Sequence, residues 1–196
     1  MKLRSTLLIS TALIALSFSA CVQSMSSDVD LNEGPEDDRS YIKVYDQVSR
    51  DVKVVNNFET KYQITATYLS PDFRTAFARR FEKLFDAPQP FLEEATNKAG
   101  FFATIFSPEK DNHDLTNEQL WTIQLKAGGR AHKPILIKKL DNKDRWTPFF
   151  PAVHQWSQEY LILFDSPSVS IDEKLVNKNN LSLHFANADA KVQLTW

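Results

Sequence analysis

The chain has 196 residues and a formal net charge of −2, with fourteen Phe, five Tyr and four Trp but only four Gly and one Cys. A charge balance this close to neutral excludes a nonspecific nucleic-acid binder, which needs a basic surface. A single cysteine excludes an internal disulfide, so stability must come from a packed core that the aromatics can supply.

Met1 to Cys21 has the parts of an export signal. Lys2 and Arg4 are positive, Leu7 to Leu16 is apolar apart from Ser10 and Thr11, and Ser17 to Ala20 are mostly small. The apolar part is about ten residues long, against the roughly 20 that a membrane-spanning helix requires. Phe18-Ser19-Ala20-Cys21 resembles the lipobox of bacterial lipoproteins, with Phe18 standing where that class commonly has Leu. The resemblance covers only the first 21 residues. It implies cleavage before Cys21, a diacylglycerol on its thiol and usually an acyl group on the new amino terminus. Val22, in place of an Asp, implies the outer membrane by the sorting rule of enteric lipoproteins. An ordinary secretory signal, cut after Ser19 or Ala20, is the alternative.

Val22 to Ser40 is polar and acidic and reads as a disordered tether following the lipidated Cys21, with an r.m.s. span of roughly 25 Å. A single β-rich domain is expected over 41–196. Tyr41 to Val55 reads as extended because Ile42, Val44, Val48, Val52 and Val54 partly alternate with charged residues. Asn56-Asn57 signals a turn, and Phe58 to Leu69 returns as a strand with Tyr62, Ile64, Ala66 and Tyr68 on one face. Ser70-Pro71-Asp72 then opens an amphipathic helix over Pro71 to Phe85, with Phe73, Phe77, Phe81 and Leu84 on its apolar side. Asp86 to Pro90 breaks it, and a helical turn is expected over Phe91 to Lys98.

Further strands are predicted at Phe101 to Phe106, Leu120 to Leu125, Pro134 to Leu140 and Tyr160 to Phe164. Gly128-Gly129 marks the turn before the Pro134 strand, which reads as the return arm of a hairpin. Ser107 to Thr116 and Ser166 to Asn180 read as loops, and Asp141 to Arg145 as a charged turn. The chain closes with a predicted hairpin, Leu181 to Phe185 and Val192 to Trp196, around Asn187-Ala188-Asp189. Together these elements predict a mainly β, antiparallel two-sheet sandwich, immunoglobulin-like or similar, with one amphipathic helix. The alternative is an α+β fold with the helix on a single antiparallel sheet.

No nucleophile elbow, phosphate-cradling loop or dinucleotide fingerprint is present. His113, His132, His154 and His184 are not spaced as metal ligands. Asp111-Asn112-His113-Asp114 lacks the pattern of a calcium loop, and Glu93-Glu94 are adjacent and cannot face each other on a helix. No metal, cofactor or catalytic residue is expected. The unusual local composition is Trp146, Phe149 and Phe150 with Trp156 and Tyr160 after them. These aromatics read either as a plug in the core or as a stacking platform for sugars or protein. His154, beside Gln155, Trp156 and Glu159, is a candidate pocket residue. The expected function is that of an outer-membrane lipoprotein that faces the periplasm and acts as a noncatalytic binding or assembly module for an envelope protein. The alternative is a cell-wall or glycan-binding protein, with or without enzymatic activity.

Overall fold

In the computed structural model the described residues are 36–87, 94–165 and 181–196, with side chains described from residue 39 onward. Cys21 and its lipobox, the tether as far as Pro35, Phe91 to Glu93, and the Ser166 to Asn180 loop lie outside them.

The first element corrects the sequence reading. Helix α1 spans Glu36–Val48, where the end of a tether and the start of a strand at Tyr41 are predicted. Two periodicities compete in this stretch. Ile42 and Val44 suggest alternation, but Tyr41, Tyr45 and Val48 recur at i, i+4 and i+7. The helical set wins: Tyr41 and Val48 are buried, whereas Ile42 is half exposed. Strand β1 begins only at Ser49 and runs to Asn56. It pairs antiparallel with β2, Glu59–Tyr68, across the two-residue turn Asn57-Phe58.

Helix α2, Pro71–Phe85, has the predicted bounds and the predicted start. Ser70 Oγ accepts from the Phe73 N–H at 3.1 Å, Pro71 occupies a first-turn position that needs no donor, and Asp72 faces the positive helix end. Asp86 ends the helix in the left-handed region, its N–H donating to Glu82 O at 2.8 Å. Phe73, Phe77 and Phe81 are fully buried, while Leu84 and Phe85 are partly exposed.

The remaining strands are β3 (Ala99–Phe106), β4 (Thr122–Ala127), β5 (Arg130–His132), β6 (Leu136–Leu140), β7 (Gln158–Phe164), β8 (Leu181–Ala186) and β9 (Lys191–Thr195). A short helix α3, Lys143–Trp146, stands where a charged turn is predicted. The strands form two antiparallel sheets, one ordered β1-β2-β3-β7-β6 and the other β5-β4-β8-β9. The fold is therefore a mainly β, two-sheet sandwich, and the second sheet overturns the single-sheet alternative. The sheets meet through Tyr62 and Trp121, whose rings lie 5.2 Å apart edge to face, and through Phe101 and Trp196 at 5.2 Å. Asn187 also donates to Tyr62 Oη at 2.8 Å.

One hairpin differs from expectation. The return arm after Gly128-Gly129 is the short β5, paired with β4, and not the segment from Pro134. Pro134 has no N–H to continue that ladder. The chain instead crosses to the five-stranded sheet, where Ile135 N–H donates to Leu163 O at 2.8 Å and β6 pairs with β7.

The five-stranded sheet is covered on both faces. Phe101 turns toward the second sheet, and its neighbour Phe102 turns toward the helices, stacked on Phe150. Seven of the eight residues in β3 and six of the seven in β7 are accordingly buried. Gly100 of β3 is needed for space: a Cβ there would lie 3.0 Å from Leu69 Cδ1 and 3.1 Å from Leu163 Cδ2. Phe77→Ala should destabilise the domain by about 3–5 kcal/mol, whereas Leu84→Ser on the same helix should stay within about 0.5 kcal/mol. Urea unfolding of both variants checks this, and equal effects would contradict the assigned face.

Candidate functional site

The aromatic segment splits into two environments. Trp146, Phe149, Phe150 and Tyr160 are buried, and only Trp156 is exposed, at 62 %. Four of the five candidate binding residues thus belong to the core. Trp146 Nε1 donates to Asp141 O at 2.8 Å. Phe149 lies 4.7 Å from Phe77 and 5.5 Å from Phe81, ring to ring. Phe150 lies flat on Phe102, with centroids 3.6 Å apart. Tyr160 Oη donates to His113 O at 2.7 Å and accepts from the Leu115 N–H at 3.3 Å; burial pushes its pKa up to about 12. None of these four can stack on a ligand without opening the core.

Trp156 stands over a cleft of about 700 Å³ bounded by the end of β3, the turn after it, β6, α3 and the loop before β7. This size suits a small ligand. The indole belongs to a row of rings: Trp156 lies 5.9 Å from His154, His154 lies 5.6 Å from Phe106, and Phe106 lies 6.2 Å from His113. His113 is fixed by the Ser107 N–H, which donates to Nε2 at 2.7 Å. The Trp156 N–H donates to His154 Nδ1 at 3.3 Å. Lys110, Lys139 and Lys143 supply positive charge, and Gln155 and Gln158 supply amides. No carboxylate is among the lining residues.

One carboxylate lies beneath the cleft. Glu159 is fully buried on β7. Ser157 Oγ is 2.5 Å from its Oε1, and Lys143 Nζ lies 3.4 Å from both oxygens. Oε2 has no hydrogen-bond donor among the described residues. Lys143 is therefore committed to a buried partner, whereas Lys110 and Lys139 have no ion pair among the described residues. Ser157 is itself buried and its Oγ also engages the His154 main chain, accepting from N at 2.9 Å and lying 2.8 Å from O. It is placed as a loop brace and is poorly placed as a nucleophile. The chemistry on offer is stacking, anion recognition by lysine and amide hydrogen bonding.

The histidines do not converge. No group of three His, Cys, Asp or Glu residues suited to a metal occurs among the described residues. His184 lies on β8 with Nε2 2.9 Å from Ser182 Oγ, and His132 ends β5. The cleft residues Ser107, Lys110, Lys139 and Lys143 carry no local sequence signal, because three segments, the turn after β3, β6 and α3, bring them together. A second surface feature is also absent from the sequence reading. Phe58 is fully exposed at the tip of the β1–β2 hairpin, and both turn residues have positive φ, 50° at Asn57 and 64° at Phe58. Its signal was a bulky residue directly after Asn56-Asn57, where such a turn favours Gly. No protein-family model, curated protein or solved structure matches the chain.

The His154 pKa is lowered, by burial first and by Lys143 second, with Glu159 opposing. That of His184 is lowered by burial and by Lys126 and Lys191. Both rings resist protonation in the fold and accept it freely when unfolded, so the unfolded state binds more protons below its pKa of about 6.5. Stability should therefore fall as the pH drops through about 6.5. His154→Gln should make that decline shallower in denaturant unfolding followed across the range; an unchanged slope would show that His154 titrates alike in both states.

Proposed function

We propose that the chain is a lipid-anchored envelope lipoprotein whose domain is a noncatalytic binding module for an envelope protein. The anchor rests on the Leu7 to Leu16 apolar run and on Cys21 at the end of its lipobox-like stretch. Several acyl chains on one residue hold a protein stably, where a single chain binds only marginally. Val22 favours the outer membrane, and the domain faces the periplasm in this reading.

Phe58 is the observation that carries the partner reading. An L-residue in the left-handed region costs about 1–2 kcal/mol, and an exposed aromatic gains nothing from burial in the isolated domain. Val55, half exposed, lies on the same hairpin. A residue that is both strained and unburied alone becomes favourable when a partner covers it. A photo-crosslinking amino acid at position 58 should yield one discrete adduct in the native envelope, and Phe58→Gly should abolish the interaction while leaving stability equal or higher. A Phe58→Gly variant that retains full partner binding would remove the hairpin from the reading.

The anchor has its own test. Cys21→Ser should accumulate as the uncleaved precursor, unlabelled by radioactive palmitate; a processed, labelled variant would refute lipidation at Cys21. A second reading, glycan binding, is favoured by the exposure of Trp156 over its cleft.

A further inference from the structure

Three of the four tryptophans, Trp121, Trp146 and Trp196, are buried, and the fourth is the exposed rim of a cleft. Indoles in the core need no ligand to account for them. Trp156 has its ring in solvent, yet its backbone and its neighbours are fixed. Phe106 lines the cleft, and His154 links it to the indole by edge-to-face contacts; lowered basicity keeps His154 an uncharged ring near neutral pH. The indole itself presents a flat face, and its anchored main chain lowers the ordering cost of stacking on it.

The charge around that face is one-sided. Lys139 and Lys110 are exposed and without ion pairs among the described residues. Glu109, next to Lys110, is turned toward Lys61 at 4.0 Å and accepts from Asn112 at 2.9 Å. Glu159, beneath the cleft, is buried and neutralises Lys143. A ligand entering the cleft therefore meets lysines and no carboxylate in its lining, which favours a negatively charged group. Gln155 adds a donor and an acceptor suited to hydroxyl groups, and Gln158, whose amide nitrogen donates to Leu140 O and Glu159 O at 3.4 Å, adds an acceptor.

We propose that the Trp156 cleft binds an acidic saccharide, with a sugar ring stacked on Trp156, its anionic group held by Lys139 and Lys110, and its hydroxyls met by Gln155 and Gln158. This rests on the glycan reading and narrows it to a negatively charged sugar. The cleft volume accommodates a short oligosaccharide. The anion requirement comes from the lysines and the ring requirement from the indole, so the two can be tested apart.

Because the other three indoles are buried, a change in tryptophan emission on titration reports chiefly on Trp156. The probes are a galacturonic acid trimer and the uncharged galactose trimer, each titrated into the lipid-free domain from residue 22 onward and followed by fluorescence and by calorimetry. The acidic trimer should bind about tenfold tighter than the neutral one, and the difference should shrink at high salt. Trp156→Ala should weaken both by about tenfold, with an unchanged circular dichroism spectrum. Lys139→Gln should weaken only the acidic trimer. Equal binding of the two trimers would overturn the acidic preference and leave the glycan reading standing. Binding of neither, or binding unaffected by Trp156→Ala, would overturn both the preference and the glycan reading at this cleft.

Discussion

Phe150 lies on Phe102 with ring centroids 3.6 Å apart and planes within 3° of parallel, and the architecture depends on what that contact covers. The central strands of the five-stranded sheet are apolar on both faces. One face has the second sheet; the other would be in water without α1, α2 and the Phe149-Phe150 wedge. The wedge serves both helices. Phe149 touches Phe77 and Phe81 of α2, and its carbonyl accepts from Tyr41 Oη of α1 at 2.9 Å. Fully burying a side chain of this size contributes about 1.5–3 kcal/mol, so a contiguous set of seven or eight such rings outweighs any surface ion pair in the molecule.

The wedge and the cleft are parts of one segment. Having filled the space between helices and sheet, the chain turns outward past Pro151 and delivers His154, Gln155 and Trp156 to the surface before re-entering as β7. Val153 remains buried within that turn, which gives the loop a fixed footing. Glu159, at the re-entry point, ties α3 to the loop through Lys143 and Ser157. Removing the cation from such a pair leaves a buried charge without compensation, and the loss then exceeds anything the intact pair contributes. The rigidity of the Trp156 loop is thus a by-product of core packing and of one buried carboxylate.

Much of the fold was legible because local signals agreed with tertiary demand. Ser70, Pro71 and Asp72 set the start of α2, and the Phe73, Phe77, Phe81 stripe set its face. The paired strands β1–β2 and β8–β9 follow from alternation bounded by Asn-rich turns. Helix α1 was misread because its aliphatic residues suggested period two while its tyrosines and Val48 had period 3.6, and the tyrosines carry the burial. The Pro134 segment was misread because a proline that ends one ladder can begin a crossover to another sheet, a choice that depends on β7 being there to receive it. At the site, composition singled out five aromatics together, and only burial separates Trp156 from the rest. Lys110 and Lys139 join it from distant segments, which no local pattern announces.

The corner where the two sheets meet has a consequence for the order of events in folding. Trp196 Nε1 donates to Val48 O at 2.6 Å across 148 positions of sequence, and Arg50 Nε donates to Thr195 O at 2.9 Å across 145. Contacts of such separation form late, since they require the intervening chain to be present and largely collapsed. Here the seam closes only once the final strand has arrived beside the first, so the wiring of the sandwich acts as a latch that shuts after both sheets have gathered.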